Sequence, residues 1–167
     1  MPTHTMQPPE WIDAAPIQAV ASIDIAAPPS AAWVRIADHV TWPEWFTTLD
    51  SVEVVGSGSG VGGGRRVTAK KATLEEEFTV WDENEHFAFA VTSSKIPILE
   101  SLAESIRVEP TDAGCRVVYR QGLQAKRGFG KALDLVWKQA AKDLPTALAN
   151  LKAVVESTPG RDVDDTR

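Results

Sequence analysis

KALDLVWKQAAKDLPTALANLKAVVE, residues 131–156, is the stretch that decides the fold. Leu133, Trp137, Ala140, Leu144, Leu148, Leu151 and Val155 recur at steps of three and four and make one apolar stripe. Pro145 sits within the run. Proline removes a backbone donor and bends a helix, yet the apolar positions on its two sides stay in phase. The pattern predicts one bent helix rather than two helices joined by a loop. At about 1.5 Å per residue it is roughly 39 Å long. A rod of that length needs a broad apolar bed. From Ile17 to Gln124 the chain reads mostly as strand and turn, and a curved antiparallel sheet is such a bed. The space between rod and sheet is either a packed core or a pocket, and function turns on which.

Working back from the rod, Ile17, Ala19, Ala21, Ile23 and Ile25 alternate with Gln18, Val20, Ser22 and Asp24, a half-buried first strand. Pro28 and Pro29 end it and can open a helix. Trp33, Ile36, Ala37 and Val40 share one face of that helix, and TWPEWF (41–46) reads as a second short one. Val52 and Val54 mark strand two, followed by a Gly/Ser loop over 56–64. Further strands fall near 65–70, 72–81, 86–93, 100–109 and 115–124. DENE (82–85), Pro97 and PTDAG (110–114) supply turns between them. Gly128 and Gly130 loosen the chain ahead of the last helix. The expected fold is α+β: a curved seven-stranded antiparallel sheet wrapped around a long C-terminal helix, with two short helices after strand 1. Residues 1–15 are expected to be a flexible arm, 16–156 a single domain, and 157–167 a disordered tail.

ASIDIAAPPSAAWVRIADHVTWPEW (21–45), IRVEPTDAGCRVVY (106–119) and LPTALANLKAVVE (144–156) resemble the SRPBCC superfamily. Within it they are similar to the bacterial polyketide cyclase/dehydrase and lipid-transport branch. The resemblance covers about 17–156. It is carried by a diffuse pattern: an Asp such as Asp38, a Trp such as Trp45, a Glu-Pro turn such as Glu109–Pro110, and the terminal helix. It implies the helix-grip fold of START-type lipid carriers, with a hydrophobic cavity between sheet and helix. The pattern speaks to fold far more than to function.

The chain has 167 residues, 43% hydrophobic and 24% charged, ordinary values for a soluble domain with a sizeable core. A formal charge of −6 argues against a general affinity for nucleic acid or anionic membrane. Cys115 has no partner for an internal disulfide, which fits a reducing cytoplasm. The N-terminal MPTHTMQPPEWIDAAP has no basic start followed by an apolar run, so no signal peptide is expected. No stretch is long and apolar enough for stable membrane insertion. Nothing in the sequence fixes the oligomeric state.

Short motifs carry little chemistry here. Gly58-Ser-Gly60-Val-Gly62-Gly63 matches GxGxxG in form. Dinucleotide binding needs a helix to follow, and Arg65-Arg66-Val67-Thr68 reads as strand. His4, His39 and His86 are scattered, with no metal-ligand spacing among them or to Cys115. No metal and no cofactor is expected. His39 closes the first helix, a position that favours the cationic form, and His86 at a strand start is expected to be exposed. There is no GxSxG, and Cys115 reads as a buried inert thiol.

The informative feature is polar residues that share parity with apolar ones, since side chains two apart lie on one face of a sheet. Glu76 keeps step with Leu74, Phe78 and Val80. Glu104 keeps step with Leu102, Ile106 and Val108. Tyr119 and Gln121 keep step with Val117 and Leu123, and Ser93 with Phe87, Phe89 and Val91. A carboxylate in a packed apolar core costs several kcal/mol or shifts its pKa. Two of them suggest a wet or ligand-filled interior. Strand ends or bulges that flip the parity would instead leave both in solvent. On the first arrangement the ligand-binding set is Trp45, Glu76, Phe78, Phe89, Val91, Leu102, Glu104, Ile106, Tyr119, Gln121, Phe129, Leu133 and Trp137. Phe129, Leu133 and Trp137 would flank the mouth, after the glycines. Asp134 and Lys138 read as a solvated i,i+4 pair.

Three functions follow. The first is binding, or transport, of a small hydrophobic or amphipathic ligand (lipid, isoprenoid or polyketide-like). The second is an aromatase/cyclase-type enzyme, for which Glu104 and Tyr119 are the catalytic pair to test. The third, implied by the resemblance, is a regulatory module that binds another protein, which an exposed apolar patch at Trp11 would signal.

Overall fold

The computed structural model describes residues 1–70 and 72–157. Seven antiparallel strands form one sheet: β1 (Ile17–Ile25), β2 (Ser51–Val55), β3 (Gly64–Ala69), β4 (Ala72–Asp82), β5 (His86–Ser94), β6 (Leu99–Thr111) and β7 (Gly114–Ala125). Their order is β1-β7-β6-β5-β4-β3-β2, so β1 closes onto β7 while β2 is the other edge. Two short helices follow β1, α1 (Pro29–Ala37) and α2 (Trp42–Trp45). The C-terminal rod comprises α3 (Gly130–Ala140) and α4 (Asp143–Ser157). The strands and the terminal rod stand where the alternation and the apolar stripe put them, in the helix-grip arrangement that the resemblance implies.

The rod is broken at Ala141–Lys142 and not at Pro145 itself. Pro145 can give no N–H to the Ala141 carbonyl, and its ring crowds that oxygen. The Leu144 N–H fills the vacancy on Ala141 at 3.3 Å, a tighter turn than the α-helix. The proline thus acts one turn upstream of its own position. Leu144, Ala147, Leu148, Leu151 and Val155 are all buried, and α4 packs on β1, α1 and α2. Asn150 Nδ2 donates to the Trp45 carbonyl at 3.1 Å, and Lys152 Nζ to the Asp24 carbonyl at 2.8 Å. These bonds pin α4 to α2 and to the end of β1. In α3 only Leu133 is fully buried.

The inner face of the sheet is built in rows across the strands. Ala19, Gln121, Glu104, Phe89 and Phe78 are register partners in one row. Ala21, Tyr119, Ile106, Phe87 and Trp81 make the next. Two irregularities in the β4–β5 pairing adjust this pattern. Between Glu75 and Glu76 the register skips Thr92, and between Phe78 and Val80 it skips Thr79. An extra residue turns the parity over. Ser93 therefore leaves the inner face and bonds the Glu75 carboxylate at 2.8 Å, a correction to the simple alternation. Trp81 replaces Val80 on the inner side, against Phe78 and Phe87.

Residues 1–15, expected as a flexible arm, are held in place: 2–5 pair with the ends of β5 and β6, and 9–14 pack over β6 and β7. His4 N–H donates to the Thr92 carbonyl and Thr5 N–H to the Glu100 carbonyl, while Pro2 accepts from Ser94 N–H. Pro9–Ala14 form a 3-10 turn in which Ile12 is buried and Trp11 half-buried. The sheet makes room for that turn at Gly122, where an added Cβ would lie 2.9 Å from Ile12 Cα. Gly122→Val is therefore expected to cost about 1–3 kcal/mol by overpacking. Limited proteolysis should then cut within residues 1–15 much faster than in the wild type.

Other positions differ from expectation for clear reasons. Val40 and Val54 are exposed; Val54 keeps the inner parity of Val52 but stands near the end of the edge strand β2. Glu109 and Pro110 continue β6 and do not form a turn. Ser157, assigned to the tail, is the last residue of α4. The rest of that expected tail, 158–167, lies outside the described residues.

Candidate functional site

A cavity of about 180 Å³ lies between the inner face and the junction of α3 with α4. Phe89, Leu102, Val67 and Leu74 line it from the strands. Trp42, Phe46 and Leu49 line it from the α2 region, and Trp137, Ala140 and Leu144 from the rod. Its polar wall is formed by Arg65, Glu76, Glu104, Tyr119 and Gln121.

Strand pairing places these groups. Arg65 is opposite Glu76 across β3–β4, and Glu104 is opposite Gln121 across β6–β7. Arg65 is 1% exposed and its Nε donates to Glu76 Oε2 at 2.5 Å. Its guanidinium carbon lies 3.7 Å from the centre of the Trp42 ring and 4.5 Å from that of Phe89. Such stacking suits a planar, weakly hydrated cation. Arg65 Nη1 donates to His39 Nδ1 at 3.2 Å. Guanidinium has no acceptor, so His39 presents a lone pair at Nδ1 and carries its proton on Nε2. Burial and the Arg65 charge depress the His39 pKa to about 3. His39 is therefore neutral and structural, and its place at the end of α1 does not make it cationic.

Glu104 is 7% exposed. Tyr119 donates its hydroxyl to Glu104 Oε2, and Gln121 Nε2 donates to the same oxygen at 3.1 Å. Burial raises the Glu104 pKa to about 7, with the Glu76 charge adding to the rise. The two hydrogen bonds and Arg65 oppose it. Burial also lifts the Glu76 carboxyl, against the pull of Arg65. The Tyr119 phenol is held far above its ordinary range, chiefly by burial, and keeps its proton. The wall thus contains one fixed ion pair and one carboxyl poised near neutrality.

Of the residues read from the sequence, Glu76, Phe89, Leu102, Glu104, Tyr119, Gln121 and Trp137 come together around the cavity. Trp45, Phe78, Val91, Ile106, Phe129 and Leu133 are not among the lining residues. Trp45 is buried with its carbonyl bonded to α4, and Trp42, one turn earlier, takes the wall. Phe78 and Ile106 belong to the packed end of the inner face with Phe87. Val91 and Leu133 fill a second apolar cluster with Ile17, Leu99 and Leu123. Phe129 is half-exposed on the surface. His86, expected in solvent, is buried and hydrogen-bonded to Ser105 Oγ at 2.8 Å. Arg65 was missed, although its parity with Val67 already places it on the inner face. Cys115 is buried, and burial raises its thiol pKa. Among the described residues no cluster of three or more acidic, His or Cys side chains could hold a metal ion.

A family model described as polyketide cyclase / dehydrase and lipid transport matches residues 16–156. The chain belongs to this family. Solved structures with the same fold include the Zhui aromatase/cyclase from Streptomyces, at 15% identity and a TM-score of 0.71. That match covers 83% of this chain and 93% of Zhui. A START superfamily protein from Mycobacterium smegmatis matches at 11% identity and a TM-score of 0.67, covering 83% and 97%. These likenesses show that the family member shares its fold with both. In sequence, an uncharacterized protein of Mycobacterium tuberculosis is 25% identical over 100 residues, 59% of this chain. The match spans 60% of that relative's length.

Proposed function

We propose that this family member binds a small apolar or amphipathic guest in the cavity, with the guest's polar end against Glu104, Tyr119 and Gln121. One observation carries the reading: an apolar hollow with a single polar wall, the usual make-up of a small-molecule site. Volume limits the guest. A dry cavity of about 150 Å³ holds benzene, so 180 Å³ suits one or two rings in this conformation. A full lipid would require α3 to move outward. Trp137 lines the space, and its indole N–H is buried without a hydrogen-bond partner in the structure. Buried donors are rarely left unpaired, and a guest would satisfy this one. No helix among the described residues is long and apolar enough to cross a membrane. Placement in the cytoplasm is part of the proposal and fits the buried free Cys115.

Native mass spectrometry of the purified chain tests this. The wild type incubated with a cell extract should gain one small adduct per chain. Ala69→Phe, which fills a lining position, should gain none. A bare wild-type chain, or an adduct that survives Ala69→Phe, would contradict the proposal.

A second reading, acid–base catalysis of the cyclase kind, is favoured by the Glu104 pKa of about 7. A general acid or base works best when its pKa lies near the working pH. On this reading Glu104→Gln abolishes turnover of a poly-keto substrate and spares binding. Equal loss of both would leave binding alone.

A further inference from the structure

We propose that the outer side of α3, with the turn before it, docks onto an anionic lipid surface. Between Lys126 and Lys142 the chain carries five basic residues, Lys126, Arg127, Lys131, Lys138 and Lys142, and one acid, Asp134. The whole chain has a formal charge of −6, so this segment opposes the sign of the rest. Asp134 is committed to Lys138 at 2.6 Å. Lys126, Arg127 and Lys131 make no ion pair among the described residues, and they line one shallow groove beside Pro16 and Ile17. Their charge is available to a partner.

The same side shows apolar groups that nothing covers. Phe129 is 48% exposed and Leu135 73%. On a helix at about 100° per residue, Lys131 and Lys138 project opposite the buried Leu133 with Leu135 beside them, and Lys142 follows in the turn after α3. A row of cations bordered by exposed apolar side chains is the make-up of an interfacial helix. Anionic headgroups take the cations and the acyl boundary takes Phe129 and Leu135. This is surface docking and not insertion across a bilayer. The opposite side of α3 supplies Trp137 and Ala140 to the cavity wall, so docking would bring that wall next to the lipid. The docking claim holds whatever occupies the cavity.

The test is co-sedimentation with vesicles of phosphatidylcholine, with or without a minority of phosphatidylglycerol. Binding should require phosphatidylglycerol and fade as salt is raised, because exposed charges are screened. Each cation near such a surface is worth about fivefold in affinity. Arg127→Gln with Lys131→Gln should therefore weaken binding by about 30-fold. Phe129→Ser with Leu135→Ser should also weaken it, while the salt dependence remains. All four positions are exposed, so thermal melting should match the wild type and show an intact fold. Lys95→Gln, an exposed lysine on the loop after β5, should bind as the wild type does. Equal binding to neutral vesicles, or equal loss with Lys95→Gln, overturns the proposal. Failure to bind anionic vesicles at low salt also overturns it, leaving an acidic protein surface as the partner of matching charge.

Discussion

Arg65→Met is expected to destabilise the chain by about 3–5 kcal/mol, the usual cost of stripping one partner from a buried ion pair. Arg65 is 1% exposed and enclosed by Trp42, Phe89, His39 and Glu76. Without it the Glu76 carboxylate, still buried, has lost its charge partner. Glu76 can escape only by taking a proton, and burial already pushes its pKa upward. The penalty should therefore grow with pH and be smaller at acid than at alkaline pH. Urea unfolding at an acid and an alkaline pH measures this. Arg65→Met combined with Glu76→Leu should recover most of the loss, because a matched apolar pair leaves no orphan charge. A double variant as unstable as the single one would show that the cation's stacking on Trp42, and not the ion pair, sets the cost.

The next largest effect concerns Glu104. Its pKa rises from the ordinary 4.5 to about 7 on folding. Between those values the native state holds a proton that the unfolded chain has released. Stability contributed by this group therefore falls as pH rises through that window, and the loss is complete above about pH 7. A shift of this size corresponds to about 3 kcal/mol. Glu104→Gln keeps an acceptor for Tyr119 and Gln121 but has no charge to desolvate. It should be more stable than the wild type by up to about 3 kcal/mol near pH 8, with the two converging near pH 4. Glu76 should leave a slope of the same sign in the variant. The reverse order of stability at high pH would mean that the Glu104 side chain is hydrated and not buried.

Much of this was legible beforehand, for identifiable reasons. β1 begins and ends where its Ile/Ala alternation does, because Pro28 cannot continue the ladder. Glu76, Glu104, Tyr119 and Gln121 were placed on the inner face by parity alone, and parity is a local property of the strand. What parity cannot give is position along a row. Phe89 and Ile106 both point inward, yet one lines the cavity and the other is packed beneath α1 and α2. The bulges that moved Ser93 out and Trp81 in depend on how β5 registers with β4, a property of two strands together. Arg65 carries no local sign of burial beyond its parity with Val67, since Arg65-Arg66-Val67-Thr68 reads only as strand. Its burial depends on Glu76, eleven positions later in the chain. The two histidines failed for a related reason. His39 at a helix end reads as cationic and His86 at a strand start as exposed, and neither local position reveals the long-range partners Arg65 and Ser105 that hold them.

The most direct test is an NMR titration of the Glu104 carboxyl carbon, with and without a naphthol, a fused-ring guest bearing one hydroxyl. Without the guest the resonance should titrate near 7; with it, the midpoint should move and the signal should shift at fixed pH. A midpoint at the ordinary 4.5 that ignores the naphthol would contradict a guest cavity walled by a poised carboxyl.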